Sequence, residues 1–145
     1  MIIYGIFLGI LSRMAWEDGR KNVIRSSTLW IYSVVGIVTA AIRQIWMQES
    51  LPWMDMAILA FLLCFLKKVM PQGMGEGDIW TLMVLPMYVT AAQMWEGILY
   101  SMFLMIPIAA WQYWRKKDKT AGIPYLPFLW MGMMLVGRNM LYGVY

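Results

Sequence analysis

The fold of this chain is decided by residues 28–47, TLWIYSVVGIVTAAIRQIWM, which hold one charged residue, Arg43, in twenty positions. An α-helix needs about 20 predominantly apolar residues to cross the hydrocarbon core of a bilayer. This stretch has that length and that composition. It therefore predicts a transmembrane helix.

Five further stretches of similar character lie on either side of it. The six predicted spans are 1–16, 28–47, 53–70, 79–95, 97–114 and 123–145. The first has no basic segment before its apolar run and no small-residue cleavage site after it, so we interpret it as a retained span. Pro86 and Pro107 fall inside the fourth and fifth spans, where we expect bends in the helices and not helix ends. The sequence predicts an all-α integral membrane protein with a single domain over 1–145, a bundle of six transmembrane helices.

The overall composition agrees with a membrane protein and excludes several kinds of chemistry. The chain is 61% hydrophobic and 14% charged, whereas ordinary soluble domains are about 45–50% apolar and about 25% charged. It has no histidine, and its one cysteine, Cys64, lies in an apolar run. The common zinc sites, the His-dependent dyads and an intrachain disulfide framework are therefore excluded. We expect no metal ion and no organic cofactor.

The basic residues predict the orientation of the spans, because Lys and Arg near short loops stay on the cytoplasmic side. Ten of the 12 basic residues fall near alternate loops: Arg13, Arg20, Lys21 and Arg25, then Lys67 and Lys68, then Arg115, Lys116, Lys117 and Lys119. Both termini are therefore predicted to lie outside. The net charge of +4 follows from this topology, so we expect no nucleic-acid partner.

Four of the eight acidic residues form two pairs at the predicted cytoplasmic face. Glu17 and Asp18 follow the first span, and Glu76 and Asp78 precede the fourth. The topology thus puts Asp18 and Asp78 at the same membrane depth, although they are 60 residues apart. Two carboxylates within hydrogen-bonding reach do not both ionise easily, so one keeps a proton while the other acts as a base on bound water. This is the chemistry of an aspartic protease.

A purely structural explanation of the same residues stands beside the catalytic one. Asp78 ends the glycine-rich segment 72–78, QGMGEGD, where an aspartate is a favourable N-cap for the helix that follows. Glu17 and Asp18 equally fit a solvated loop whose charges balance Arg20 and Lys21. The residues alone leave both interpretations open.

Three segments resemble the type IV prepilin peptidases, which are membrane aspartyl proteases of the GxGD type. Residues 75–78, GEGD, match the GxGD signature, and Asp18 matches the first catalytic aspartate. Residues 123–128, IPYLPF, are similar to the signature that opens the last span of the family. The chain resembles the short form, without the N-terminal cysteine-rich segment. It departs from the family pattern at Trp80, often Lys, and at residues 24–25, often Ile-Pro.

The resemblance implies a function. It implies an endopeptidase that cuts the leader peptide of a type IV prepilin or pilin-like protein after a glycine, at the cytoplasmic face of the cell membrane. The implied site consists of Asp18 and Asp78 as the catalytic pair, Gly75 and Gly77 as backbone support, and Glu17 and Glu76 as candidate contacts for basic leader residues. The expected partners are this substrate and the lipid bilayer. Which aspartate holds the proton stays open, because a coupled pair need not have a fixed answer.

Two other classes of function fit a small helical membrane protein. An ion-coupled transporter would be expected to place acids at the membrane midplane, whereas these acids cluster at the cytoplasmic edge. A non-enzymatic assembly subunit would use an exposed basic loop, such as residues 115–119, as its docking surface. Replacement of Asp18 and of Asp78 by alanine distinguishes a protease from an assembly subunit. A protease loses all cleavage, whereas an assembly subunit should lose nothing. Nothing in the residues indicates an oligomeric state.

Overall fold

The computed structural model describes residues 2–21, 23–46, 48, 50, 53–69, 75–115 and 124–141, which form helices and no strand. The elements are α1 (Ile2–Lys21), α2 (Ser26–Trp46), α3 (Trp53–Val69), α4 (Glu76–Val84), a 3-10 helix (Leu85–Met87), α5 (Ala91–Arg115) and α6 (Leu126–Leu141). The all-α prediction is confirmed. Residues 72–74 of the glycine-rich segment, the basic loop residues 116–119 and Ile123 lie outside the described residues.

Two helices of the described segments are long and apolar enough to cross a membrane, Ser26–Trp46 and Ala91–Trp111. Large apolar side chains on them face outward: Trp30 is 72% exposed and Phe103 is 71% exposed. Broad apolar exposure of this kind marks a surface that contacts something other than water. The six-span topology and the outward termini remain predictions.

The fourth predicted span, 79–95, is two helices and not one. α4 ends at Val84, the 3-10 helix carries Pro86, and α5 begins at Ala91. The prediction of a bend at Pro86 is wrong, because the chain leaves the α-helix there, at a residue with no N–H to continue the α-helical ladder. Pro107 lies inside α5, as expected. Glu96, which separates the predicted spans 79–95 and 97–114, consequently lies within α5.

A capping box marks the true start of α5. The backbone N–H of Thr90 donates to Gln93 Oε1 at 3.1 Å, and the backbone N–H of Gln93 donates to Thr90 Oγ1 at 3.5 Å. Such reciprocal bonds satisfy donors that the first turn of a helix leaves without partners. The helix therefore starts well before Glu96.

The helices pack in two groups. In the first group α6 lies along both α5 and α1, and in the second α2 lies against α4 and the 3-10 helix, with α3 also contacting α4. In the first group α1 buries Phe7, Leu11 and Met14, while α6 buries Leu129 and Met133. The spacing of three or four residues puts each set on one face of its helix.

Close approach of α5 and α6 depends on a glycine. A Cβ atom added at Gly132 would lie 2.5 Å from the carbonyl oxygen of Gly97 and 3.0 Å from the backbone nitrogen of Ser101. Because both are backbone atoms, no side-chain rotation relieves the overlap. The two helices reach this separation only with glycine at position 132.

Aromatic side chains join the two groups. The ring of Phe7 from α1 lies 5.0 Å from the ring of Tyr88 and 6.5 Å from that of Tyr32, and Tyr88 stacks on Tyr32 at 4.9 Å. The Tyr88 hydroxyl also donates to the Tyr32 carbonyl oxygen. Aromatic pairs at these distances contribute about 0.5–1.5 kcal/mol beyond their buried area. The cluster holds α1 against α2 and the segment that follows the 3-10 helix.

Candidate active site

Asp18 lies in the last turn of α1 and continues the buried face formed by Leu11 and Met14. It is only 6% exposed, and its carboxylate accepts a hydrogen bond from the backbone N–H of Leu126 at 3.2 Å. Leu126 is the first residue of α6, and N–H groups in the first turn of a helix have no partner within the helix. Asp18 therefore caps α6 and faces the positive end of its dipole.

Asp78 lies in the first turn of α4. The helix begins at Glu76 with Gly75 as its N-cap residue, so the structural interpretation of Asp78 as the N-cap is wrong by three positions. From the third helical position its carboxylate reaches back to accept a hydrogen bond from the Gly75 backbone, which is one half of a capping box. Its other oxygen, Oδ1, is buried and has no hydrogen-bond partner among the described residues.

Asp18 and Asp78, which come from the two helix groups, are close enough to interact electrostatically. Burial and then the negative charge of Asp18 raise the pKa of Asp78 to about 6, against the hydrogen bond from Gly75. Burial also raises the pKa of Asp18, against the hydrogen bond from Leu126. A carboxyl group with a pKa near 6 exchanges its proton close to neutral pH. The pair can therefore hold one proton and act as an acid and a base.

The start of α6 adds groups that the sequence analysis did not assign to the site. Besides the Leu126 N–H, the hydroxyl of Tyr125 lies 2.7 Å from Ser101 Oγ in a buried hydrogen bond. Tyr125 is also close enough to Asp78 for the two to interact electrostatically. Tyr125 and Leu126 belong to the segment 123–128. The motif that carries the family resemblance was therefore the signal that could have identified them.

Gly77 allows the α1–α2 connection to press against α4. A Cβ atom at Gly77 would lie 2.6 Å from Cδ1 of Ile24, and a Cβ atom at Gly75 would lie 3.3 Å from Oδ2 of Asp78. The absence of side chains at both positions leaves room for Ile24 on one side and for the Asp78 carboxylate on the other. The role of Gly75 and Gly77 as backbone support for the site stays a prediction.

Glu17 is engaged by the beginning of α2. Its carboxylate accepts hydrogen bonds from the Thr28 hydroxyl at 3.1 Å and from the Arg25 backbone N–H at 3.3 Å, and Arg13 lies 3.6 Å away. Burial raises the pKa of Glu17, but these hydrogen bonds and the Arg13 charge together hold that pKa below its usual value. Glu17 therefore ties the end of α1 to the start of α2.

Glu76 lies in a different environment. Its side chain is 92% exposed, and it pairs with the Lys67 ammonium of α3 at 3.4 Å. An exposed pair of this kind contributes little to stability. The two predicted leader contacts thus differ, since Glu17 is bound within the fold and Glu76 faces outward.

The described part of the chain has no group of three or more Asp, Glu, Cys or His side chains that could hold a metal ion.

A comparison with protein-family models finds one match. Residues 5–110 match the type IV leader peptidase family. This range contains both aspartates and both glycines and ends within α5. Neither the curated proteins nor the solved structures contain a match to the chain.

Proposed function

We propose that this chain, which belongs to the type IV leader peptidase family, is a membrane aspartyl endopeptidase that removes the leader of a type IV prepilin or pilin-like protein. The observation that carries the proposal is the electrostatic interaction between Asp18 and Asp78, in which the charge of Asp18 raises the pKa of Asp78. Family membership supports a protease. The carboxylate pair supports the aspartic type.

In the proposed mechanism Asp18 is the base and Asp78 holds the proton. Asp18 accepts an N–H from the positive end of α6, which favours its carboxylate form. Oδ1 of Asp78 is buried and has no hydrogen-bond partner in the described part of the chain, and desolvation favours the neutral form of a carboxyl group. The environments of the two groups thus support opposite protonation states.

The reaction follows from these states. Asp18 takes a proton from a water molecule as the water oxygen attacks the scissile carbonyl carbon, and Asp78 gives its proton to the carbonyl oxygen. When the tetrahedral intermediate collapses, Asp18 passes its proton to the leaving amine and Asp78 recovers its own. One water is consumed, the C–N bond breaks, and both carboxyl groups return to their starting states.

The proposed substrate position agrees with the predicted topology. A pilin-like precursor has an apolar helix in the bilayer and a short basic leader in the cytoplasm. The scissile bond after a glycine then lies at the depth predicted for Asp18 and Asp78. Of the two candidate leader contacts, Glu76 is better suited, because its side chain is 92% exposed whereas Glu17 already accepts hydrogen bonds from α2.

The test is cleavage of a pilin-like precursor co-expressed in membranes with the wild-type chain, Asp18→Asn or Asp78→Asn. Asp55→Asn is the matched control, because Asp55 accepts a hydrogen bond from Trp95 Nε1 at 2.8 Å, which an asparagine oxygen can also accept. We expect cleavage by the wild type and by the control, and none by the other two variants.

Cleavage by both Asp18→Asn and Asp78→Asn would exclude the carboxylate mechanism. Thermal unfolding of each purified variant separates loss of chemistry from loss of fold. A scaffold function predicts that neither substitution affects what the protein does, because the aspartates then take part in no chemistry.

A further inference from the structure

A groove of about 860 Å³ runs between α1 and α6, beside the site but outside the carboxylate pair. From α1 it is lined by Ala15, Trp16, Gly19 and Arg20, and from α6 by Pro127 and Trp130 among others. Volumes of this size are typical of sites for small molecules. Because the lining is mostly carbon, the groove suits an apolar chain.

The rim of the groove carries positive charge. Arg13 and Arg20, which both line it, are seven residues apart on α1, so they lie on one face about 10 Å apart along the axis. The Arg20 guanidinium lies 4.5 Å from the ring centre of Trp16 and has no carboxylate partner among the described residues. Among the described residues Arg13 pairs with Glu17 at 3.6 Å. The Glu17 oxygens already accept hydrogen bonds from the Arg25 backbone and from Thr28.

We propose that this groove binds an anionic phospholipid, with the phosphate on Arg20 and an acyl chain between Trp16 and Trp130. A guanidinium matches the geometry of a phosphate, and tryptophan favours the depth where headgroup and acyl chain meet. Trp16 is 64% exposed, so its ring has a surface free for such a chain. The long side chain of Arg13, about two turns deeper, extends toward the same headgroup.

Charge favours a lipid over the other apolar occupant, the substrate helix. The leader of the proposed substrate is basic, so two arginines at the rim of the groove repel it. The cytoplasmic leaflet, by contrast, carries anionic headgroups that attract such arginines. The occupant is therefore an anionic lipid.

A bound lipid would brace the part of the fold that holds the site. Gly19 follows Asp18 and Pro127 follows Leu126 in the chain, so the groove wall is adjacent to the Asp18–Leu126 hydrogen bond. A lipid that fills the groove contacts α1 and α6 at once. Lipid composition is thereby linked to the geometry of Asp18.

The test uses the full chain in detergent micelles and follows quenching of tryptophan fluorescence by brominated phosphatidylglycerol or brominated phosphatidylcholine. We expect the anionic lipid to quench the fluorescence more strongly than the neutral lipid. This difference between the two lipids should disappear in the double variant Trp16→Phe/Trp130→Phe and persist in Trp80→Phe. Arg20→Gln should weaken binding of phosphatidylglycerol about fivefold. Lys21→Gln is the matched control, because Lys21 is the neighbouring cation and does not line the groove.

Other outcomes overturn the proposal. Equal quenching by the two lipids would show a diffuse basic surface and no site. An equal loss of phosphatidylglycerol binding in Arg20→Gln and in Lys21→Gln would show the same. Full displacement by inorganic phosphate would show a site for free phosphate. Displacement by an apolar pilin-like helix, independent of lipid charge, would assign the groove to the substrate. None of these measurements uses cleavage, so they stand apart from the test of the peptidase.

Discussion

Substitution of Gly132 by alanine is expected to weaken both the fold and the reaction, although Gly132 touches neither aspartate. The added Cβ atom would lie 2.5 Å from the carbonyl oxygen of Gly97. Ordinary contact begins near 3.4 Å, so α6 must move about 0.9 Å away from α5 at this position. The move separates two helices along their main line of contact.

The size of the expected change in the free energy of unfolding follows from two opposing effects. Overpacking of a close-packed interface costs about 1–3 kcal/mol, and alanine in place of glycine within a helix recovers about 1 kcal/mol. The expected net loss is up to about 2 kcal/mol. In addition, α6 holds Asp18 through the Leu126 N–H at 3.2 Å, so a shift transmitted along the helix takes this bond beyond hydrogen-bonding range.

The assay is thermal unfolding followed by circular dichroism in detergent micelles, together with cleavage of a pilin-like precursor. Gly9→Ala is the matched control, because a Cβ atom at Gly9 has nothing within 4 Å and should stabilise α1 by up to about 1 kcal/mol. If Gly132→Ala unfolds at or above the wild-type temperature while Gly9→Ala behaves as expected, the tight α5–α6 contact and the reasoning built on it are refuted.

Four further predictions concern the site and its surroundings. Cleavage should fall as the pH rises through about 6, where Asp78 loses its proton; a rate that is flat across this range contradicts its role as the acid. Because the pKa of Asp78 is higher in the folded than in the unfolded chain, Asp78→Asn should raise the unfolding temperature at neutral pH, and this gain should disappear at pH values below about 4. The pKa of Glu17 is lowered on folding, so Glu17→Gln should destabilise the protein at neutral pH, with the difference from wild type vanishing as the pH falls through that lowered pKa. Tyr125→Phe and Ser101→Ala should each lower the unfolding free energy by about 1 kcal/mol. The double variant should lose less than the sum of the two, since both substitutions remove the same hydrogen bond between Tyr125 and Ser101.

The apolar stretches predicted most of the helices because length and hydropathy are local properties. The spans 28–47 and 53–70 correspond to α2, Ser26–Trp46, and α3, Trp53–Val69. The sequence prediction puts the break between the fourth and fifth spans at Glu96, whose single charge interrupts the apolar run, whereas the structure puts it between Val84 and Ala91. The residues 90–93, TAAQ, fit a capping box, and this pattern could have located the start of α5.

The two candidate aspartates could be selected from the sequence by residue type and motif, but their surroundings could not. Asp18 is held by a backbone N–H of Leu126, 108 residues away, and a backbone donor leaves no trace in the side-chain pattern. Glu17 was predicted to face the substrate or water, whereas it accepts hydrogen bonds from α2. Such partners depend on how helices pack, which hydropathy does not encode.

The division of the helices into two groups bears on how the protein would lose activity. Asp18 belongs to the group of α1, α5 and α6, and Asp78 belongs to the group of α2, α3 and α4. A small opening between the groups parts the carboxyl groups while leaving every helix folded, and partial openings of this kind occur at lower free energy than global unfolding. Heat or denaturant should therefore inactivate the protein before its helical signal declines. For the same reason, a crosslink between the groups would protect activity more than it raises the melting temperature.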